Sequence, residues 1–413
     1  MMASAQEGSS LGTYTPYSLY GLGDFATVGT STTIGMGGVG MGVRNKRAID
    51  VVNPAGASAR DSLVFVIDFG GEMRNIYAAS ATTSSSFNSA NFHHLAVAFP
   101  VWGARFGVNL GFQPYTRVGY DIERRELDPS IINAAGDVRY QYKGEDGLSQ
   151  VFLNVGYNIM PNWAVGVGAK YYFGTINRYY NTLFRSNSYF FNTSAKQSLQ
   201  VNGFTYSLGT QYTHALNKEQ KLTMGVMVSP KINVSALESI SSIQNSVVTN
   251  VAGYVDTAYS RTNDSPIAMP TNVALGLSFA QSDKWLVGAD FAWCDWSKTV
   301  IGGRSEMGTS YEIKLGGAYT PDRYDVRYYR NRMTYRAGLR YGQMPLRYDN
   351  QSVKDKAVSA GLCFPLKGIG DLNFSAEYGQ RGTTKNGGVR ENYVYFTLSL
   401  TLFEYWFMKY QYE

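Results

Sequence analysis

The stretch Ala104-Arg105-Phe106-Gly107-Val108-Asn109-Leu110-Gly111-Phe112-Gln113 alternates large apolar residues with small or polar ones. Because successive side chains of a β-strand point to opposite faces, its large apolar residues share one face and its polar residues and glycines share the other. The pattern therefore predicts a strand that has one face in an apolar environment.

The same alternation recurs along most of the 413-residue chain, at 151–158, 165–171, 273–279, 335–341, 372–378 and 394–402. A soluble sandwich would bury the apolar faces between two sheets, whereas a transmembrane barrel turns them towards lipid and keeps polar residues in its lumen. Charged residues make up 16% of the chain, against about 25% in an average soluble domain, which favours the barrel. No apolar run reaches the roughly 18 residues of a membrane helix, so a bilayer would be crossed by strands of a closed barrel.

Connection lengths support this interpretation, because outer-membrane barrels alternate short periplasmic turns with long outer loops. Short joints are predicted at 100–103, 160–162, 216–220, 281–283, 320–322 and 365–370. Long polar loops are predicted near 72–91, 117–147, 178–200, 230–268, 297–309, 343–354 and 381–390. The sequence thus predicts an all-β transmembrane antiparallel β-barrel of about 14 strands with both termini in the periplasm.

The residues before the first predicted strand, 63–69, do not alternate and are rich in glycine. Gly35 to Gly40 match the spacing GxGxxG, but no strand–turn–helix unit surrounds them, so we interpret them as a flexible or tightly folded segment. A wide lumen leaves room for such a segment inside the barrel, as a plug. The predicted organisation is a signal-peptide remnant at 1–5, a plug at 6–61, the barrel at 62–403 and an aromatic periplasmic tail at 404–413.

Few residues of the sequence indicate a catalytic, metal-binding or disulfide role. Cys294 is predicted near the outer end of one strand and Cys363 near the inner end of another. Their levels along the barrel then differ by roughly 20 Å, too far for a disulfide, so both thiols are predicted to be unpaired. His93, His94 and His214 form no recognisable set with a serine and a carboxylate, and we interpret the first two as a polar strand end. We predict no enzymatic activity, no metal and no cofactor. The net charge of +6 is spread along the chain, so no nucleic-acid partner is predicted.

Asn53-Pro54-Ala55 follows the glycine-rich stretch and stands just before the first predicted strand. In this position the tripeptide resembles the N-terminal hatch of the FadL/TodX family of outer-membrane transporters for hydrophobic compounds. The tail 400–409 is similar to the end of FadL-like proteins of Bacteroidota. The resemblance implies that outer loops capture a hydrophobic molecule such as a long-chain fatty acid. The molecule would pass to a lumen pocket and leave sideways into outer-membrane lipid, beside a kinked third strand.

The resemblance also assigns roles to residues. Gly111 and Pro114 lie in the predicted third strand, where they would kink it beside a lateral opening; alternatively Pro114 merely ends the strand. Asn53, Pro54 and Ala55 would hold the plug against the barrel wall, with gating as a consequence, or would simply form an Asn-Pro turn.

Side chains predicted to face the lumen by strand parity include five charged ones: Lys170, Asp290, Arg336, Arg340 and Glu377. They would pair with one another or with the plug, or Arg336 or Arg340 would bind a fatty-acid carboxylate. Trp406, Phe407 and Tyr410 in the tail would belong to an interfacial aromatic girdle, with a docking peptide as the alternative.

A second function stays open beside transport. FadL-like barrels of Bacteroidota also serve as non-transporting accessory subunits of outer-membrane protein assembly or secretion complexes. An aromatic tail and an outer loop as long as 230–268 would give protein partners a surface to bind. A continuous apolar lumen pocket would favour transport, whereas a lumen filled by the plug and by side chains would favour the partner role.

Overall fold

The computed structural model describes residues 12–61, 64–102, 105–185, 190–246, 255–301, 307–348, 351–367, 370–385 and 388–405. Its strands are β1 (Asp24–Phe25), β2 (Val64–Ala79), β3 (Ser84–Trp102), β4 (Phe106–Arg117), β5 (Tyr120–Arg125), β6 (Val138–Met160), β7 (Trp163–Phe184), β8 (Phe191–Ala215), β9 (Gln220–Ser229), β10 (Ile232–Ser246), β11 (Val255–Asp264), β12 (Ile267–Met269), β13 (Thr271–Gln281), β14 (Trp285–Asp295), β15 (Thr309–Tyr319), β16 (Thr334–Tyr348), β17 (Gln351–Leu366), β18 (Gly370–Gly382) and β19 (Arg390–Tyr405).

Helices are few and short. They are α1 (Ser31–Ile34), α2 (Pro129–Ala135), α3 (Tyr329–Arg332) and two 3₁₀-helices, Pro16–Leu19 and Pro54–Ala59. In the part of the chain that the structure describes, none of these helices has the length and apolar character to cross a membrane.

The strands form one antiparallel sheet that closes on itself. β2 and β19 pair from Val64–Tyr405 to Ala79–Arg390, which joins the first and last strands of the barrel. We call one passage of the chain from one end of the barrel to the other a crossing. Three crossings consist of more than one strand: β4 with β5, β9 with β10, and β11 with β12 and β13. Counted as crossings, the described strands give a closed barrel of 14, and the fold class and strand number predicted from the sequence are confirmed.

The alternation sorts side chains as the sequence predicts. Leu110, Leu275 and Leu339 are exposed on the outer surface, whereas Asn109 and Asn154 are buried in the interior. A barrel with an apolar exterior and a polar interior suits a surrounding of lipid, because its backbone groups are already paired between strands.

The strands extend further than the sequence indicates. The region 72–91, predicted to be a loop, is mostly a β2–β3 ladder that turns at residues 80–83. Much of 178–200 likewise belongs to β7 and β8. In β8 most residues of this region are polar, so strand pairing continues there where the apolar alternation has stopped. In β2 the alternation itself continues, because Met73 and Tyr77 are exposed on the outer face. We call the end of the barrel that contains the β2–β3 turn at residues 80–83 the long-loop end, and the opposite end the short-turn end.

Differences also occur at the short-turn end. The joint predicted at 320–322 is a connection from 320 to 333 that contains α3. β19 runs to Tyr405, two residues into the predicted tail, because Glu404 and Tyr405 complete its ladder with β2. The predicted girdle residues Trp406, Phe407 and Tyr410 lie outside the described residues, as do the predicted signal-peptide residues 1–5. Cys294 and Cys363 are free, as predicted.

Residues 12–61, which we call the N-terminal segment, are mostly buried. Their partners lie on strands all around the barrel: Asp24 pairs with Arg74 of β2, Asn53 donates to Thr210 of β8, and Gly37 donates to Ser359 of β17. Contacts in so many directions require the segment to lie within the barrel.

Candidate functional site in the barrel interior

Ten consecutive strand crossings carry a glycine where the N-terminal segment approaches the wall. At each glycine, an added Cβ atom would lie 3.0 Å or less from an atom of the segment, closer than side chains pack. This glycine ring consists of Gly107, Gly156, Gly166, Gly209, Gly225, Gly276, Gly288, Gly316, Gly338 and Gly361. The wall therefore leaves no room for its own side chains where the segment lies against it.

The tripeptide Asn53-Pro54-Ala55 lies at this contact. The Asn53 side chain is fully buried, and its Nδ2 donates to the carbonyls of Met41 and Thr210 at 3.1 and 3.3 Å. Its Oδ1 accepts from Ala55 N at 3.1 Å and caps the 3₁₀-helix that Pro54 begins. The same residues thus form an Asn-Pro turn and contact the wall, so the two local interpretations are compatible.

The GxGxxG stretch binds a carboxylate of the barrel wall. Asp290 Oδ2 accepts from the backbone N–H groups of Gly40 and Met41, at 2.7 and 2.9 Å. Gly37 and Gly38 have φ values of 71° and 86°, which L-residues rarely adopt, and they turn the chain tightly before that contact. Asp290, predicted from parity to face the lumen, therefore holds the segment in place through two charge-assisted hydrogen bonds.

A largely buried ion-pair cluster surrounds Arg340. Its guanidinium lies 2.6 Å from Glu377 and 3.0 Å from Asp355, and it also donates to Tyr393 Oη at 3.0 Å. The structure thus brings together Arg340 and Glu377, two of the residues predicted to face the lumen. Arg336 is separate and donates to Asn373 Oδ1 at 3.2 Å.

A second ion-pair cluster fastens the N-terminal segment to the wall. Asp24 accepts from Arg74 of β2 at 3.0 Å and from Arg381 of β18 at 2.7 Å. Glu72 lies 3.1 Å from Arg74 and 2.5 Å from Arg117. Sequence reasoning missed this cluster because it placed residues 72–91 in a loop. Extending the strand parity of β2 beyond Phe69 would have turned both Glu72 and Arg74 inward.

A cavity of about 310 Å³ remains between the segment and the wall. Its apolar lining includes Phe25, Tyr115, Tyr172, Met227, Met269 and Trp296. Lys170, predicted to face the lumen, also lines the cavity, near Cys294, and the Arg340 cluster lies on another side. The volume is at the lower end of small-molecule pockets, which span about 300–1,000 Å³.

Towards its end, the third crossing, β4, loses its pairing with β3 and pairs instead with β1 of the N-terminal segment, at Thr116 and Arg117. The β3–β4 ladder runs from Trp102–Phe106 to Leu95–Phe112, and no described residue pairs these strands beyond that point. The β4–β6 ladder continues to Arg117, with an irregularity after Pro114. Gly111 lies within the strand, and β4 extends three residues past Pro114, so the alternative that this proline ends the strand is wrong.

The first described residues of the N-terminal segment occupy this gap in the wall. On the β3 side, Asn91 Nδ2 donates to the Gly12 carbonyl at 2.8 Å, and the Tyr14 ring lies 5.3 Å from that of Phe87. On the other side, the Tyr14 hydroxyl donates to the Asp121 carbonyl at 2.6 Å. Residues 12–15 therefore fill the space between β3 and the β4–β5 turn.

Two buried charged groups of the segment, Asp50 and Arg60, belong to residues that contact Asn109 of β4. Asp50 Oδ1 accepts from Val52 N and Asn53 N, at 2.8 and 3.3 Å, and its Oδ2 has no hydrogen-bond partner. Burial raises the pKa of Asp50 to about 7. Burial also lowers the pKa of the nearby Arg60 to about 10. Arg60 donates to Asn109, a lumen-facing residue of the alternating stretch 104–113.

His93 and His94 are buried rather than being a polar strand end. They occupy an irregularity of the β2–β3 ladder, which lets neighbouring residues turn towards the same side. Their Nδ1 atoms lie 2.8 Å apart, and His94 Nε2 is 3.3 Å from Asp68. The described residues contain no group of three or more histidine, cysteine or acidic side chains arranged to hold a metal ion.

Solved structures with this fold include transporters of hydrophobic compounds. The toluene transporter TbuX of Ralstonia pickettii matches with a TM-score of 0.58 and 14% identity, over 91% of this chain and 98% of its own. The toluene transporter TodX of Pseudomonas putida matches with a TM-score of 0.58 and 15% identity, over 93% and 100%. A FadL homologue of Pseudomonas aeruginosa matches with a TM-score of 0.57 and 13% identity, over 92% and 99%. At these identities the likeness shows a common fold.

No curated protein matches the sequence. The family model that matches is BamG, and it covers residues 1–413. The resemblance to the FadL/TodX family is thus confirmed for the barrel fold, while the family model carries a different name. The chain belongs to the BamG family and has the fold of the FadL-type channels.

Proposed function

We propose that this protein is a non-transporting accessory subunit of an outer-membrane protein assembly or secretion complex. The observation that carries the proposal is the glycine ring, because ten crossings of the wall are shaped around the N-terminal segment. In this proposal residues 6–61 are a permanent plug, held in part by Asn53, Pro54 and Ala55.

The ion pairs of Asp24 support a permanent plug. Moving the segment would separate this carboxylate from Arg74 and Arg381, all of which are buried. Breaking a buried ion pair by removing one partner typically costs about 3–5 kcal/mol. A plug that opens during each transport cycle would have to meet that cost, whereas a structural plug would not.

The family assignment is consistent with a role other than that of the toluene transporters. The chain matches the BamG family along its whole length, and its likeness to the transporters extends only to the fold. The proposed location is the bacterial outer membrane. The long-loop end would face outward and the short-turn end, with both termini, would face the periplasm.

The cavity favours a second candidate function, a channel for hydrophobic small molecules such as long-chain fatty acids. An apolar chain would lie against Phe25, Tyr172 and Trp296. Arg340 is already paired with Glu377 and Asp355, so Lys170 is the better candidate for binding a ligand carboxylate. Release beside Gly111 and Pro114 would require residues 12–15 to leave the gap in the wall.

The experiment is extraction of the tagged protein from its native membrane in mild detergent, followed by mass spectrometry of the bound proteins and small molecules. An unrelated barrel with the same tag identifies non-specific partners. We expect stable protein partners and no stoichiometric apolar ligand. A near-stoichiometric fatty acid or similar molecule, with no protein partner, would replace the proposal by the channel.

A further inference from the structure

The connection between β15 and β16 differs from its neighbours at the short-turn end. The turns at 161–162, 216–219 and 282–284 contain only a few residues, whereas this connection runs from 320 to 333. Its central part, Pro321-Asp322-Arg323-Tyr324-Asp325-Val326-Arg327-Tyr328-Tyr329-Arg330-Asn331-Arg332, has four arginines, three tyrosines and no lysine. We call residues 321–332 the arginine–tyrosine loop.

The loop has an internal frame of hydrogen bonds. Asp325 accepts from the backbone N–H groups of Arg327 and Tyr328, at 2.7 and 2.8 Å, and from Asn331 Nδ2 at 2.5 Å. Asp322 N donates to the Asn331 carbonyl at 2.9 Å and ties the two halves together. A loop that is already shaped loses little conformational entropy when it binds a partner.

Two contacts attach the loop to neighbouring strands. Tyr329 Oη donates to the Pro365 carbonyl of β17 at 3.1 Å. Arg323 lies 3.4 Å from Asp371 of β18, a buried side chain. The loop is therefore held against the short-turn end of the barrel rather than projecting as a free hairpin.

The far side of the loop is exposed. Val326 is 96% exposed and Tyr324 is 72% exposed, although both residues belong to a loop with internal hydrogen bonds. Arg327 and Arg330 are also exposed, and neither has an ion-pair partner among the described residues. Tyrosine and arginine are enriched in the binding hot spots of protein interfaces, where lysine is depleted.

We propose that the arginine–tyrosine loop docks into an acidic groove of a periplasmic protein partner, which rests on the proposed accessory function. Its four arginines exceed its two aspartates, and both aspartates already accept hydrogen bonds within the loop. The forked donors of Arg327 and Arg330 suit carboxylates, and Tyr324 and Val326 supply apolar contact. Because Arg323 reaches the buried Asp371, the loop is tied towards the lumen mouth, which favours a protein over lipid headgroups.

The test places the photo-crosslinking residue p-benzoylphenylalanine at Val326 in cells. A second variant carries it at Lys218, which is exposed in another turn of the same end. We expect Val326 to crosslink to one protein within an acidic peptide, and Lys218 not to do so. Replacing Arg327→Glu and Arg330→Glu together should lower the yield of this adduct at least tenfold. The matched Arg327→Lys and Arg330→Lys variant should retain most of it.

A charge swap identifies the contact. Reversing the mapped acidic residues of the partner to arginine should restore the adduct with the doubly reversed loop. Adducts with lipid alone, equal adducts at Val326 and Lys218, or a yield that does not respond to charge reversal would each overturn the docking proposal. If native extraction recovers partners but Val326 does not reach them, only the loop proposal fails. If extraction recovers no partner, the accessory function fails as well.

Discussion

Single glycines decide whether the wall and the N-terminal segment fit together. In Gly316→Ala the new methyl group would overlap the Met36 carbonyl, so the segment or the strand must shift. Overpacking of this kind typically costs about 1–3 kcal/mol, and we expect the free energy of unfolding to fall by that amount. Urea unfolding followed by tryptophan fluorescence measures the change. Gly71→Ala is the matched control, since its nearest atom would lie at 3.6 Å; equal losses in both variants would contradict the prediction.

The pKa of Asp50 predicts a pH dependence. Burial raises it to about 7, so between about pH 4 and pH 7 the folded protein holds a proton that the unfolded chain has released. Stability should therefore be greatest below about pH 4 and should decrease as the pH rises to 7. Asp50→Asn stays neutral and keeps an acceptor for Val52 N, so it should remove part of the decrease. Urea midpoints of the wild type and Asp50→Asn at pH 5 and pH 8 test this prediction. An equal change in midpoint between the two pH values for both proteins would rule it out.

At the scale of elements, alternation predicted the strands and their number but not their ends. Beyond the apolar band, β7 and β8 continue through polar residues, where no period in the sequence distinguishes a strand from a loop. The Arg74 cluster was missed for a different reason: residues 72–91 were assigned to a loop, although the alternation of β2 continues through Glu72 and Arg74. Asp290 was predicted to face the lumen, but its binding partner was not predicted. A glycine-rich stretch does not encode which wall residue its N–H groups will bind. Glycines recur in the strands of the sequence, but they do not reveal what fills the space beside them.

Beside β4 the wall is completed by the N-terminal segment and not by β3, because β1 pairs with Thr116 and Arg117 and residues 12–15 fill the remaining space. This arrangement predicts an effect of removing residues 1–15. The variant should expose the space between Phe87 and Gly119, and the apolar dye 1-N-phenylnaphthylamine should bind in the opened wall. Tyr14→Phe is the control, because it keeps the ring beside Phe87 and loses only the hydrogen bond to Asp121. Dye fluorescence titrated with each purified protein gives the comparison. Equal binding to the wild type and the deletion would contradict a wall closed by these residues.

At the scale of the whole molecule, the interior is too occupied for an ordinary pore. The segment contacts the glycine ring on ten crossings and is held by ion pairs to β2 and β18. We therefore expect no steady ion conductance from the wild-type protein in planar bilayers. A variant lacking residues 12–61 serves as a positive control wherever heat-modified gel migration shows that it has folded. Stable open-channel currents from the wild type would disprove the prediction.

The contacts of Ser31 constrain the order in which this barrel can be assembled. Its hydroxyl meets Ser375 and the Thr397 carbonyl, groups 344 and 366 residues later in the chain. The segment is thus made before the strands that complete its surroundings, and contacts so distant in sequence form late because closing long loops is entropically costly. If β19 paired with β2 while the segment was still outside the barrel, that ladder would have to open again to admit the segment. We therefore expect the segment to be held within the unfinished sheet before β19 pairs with β2.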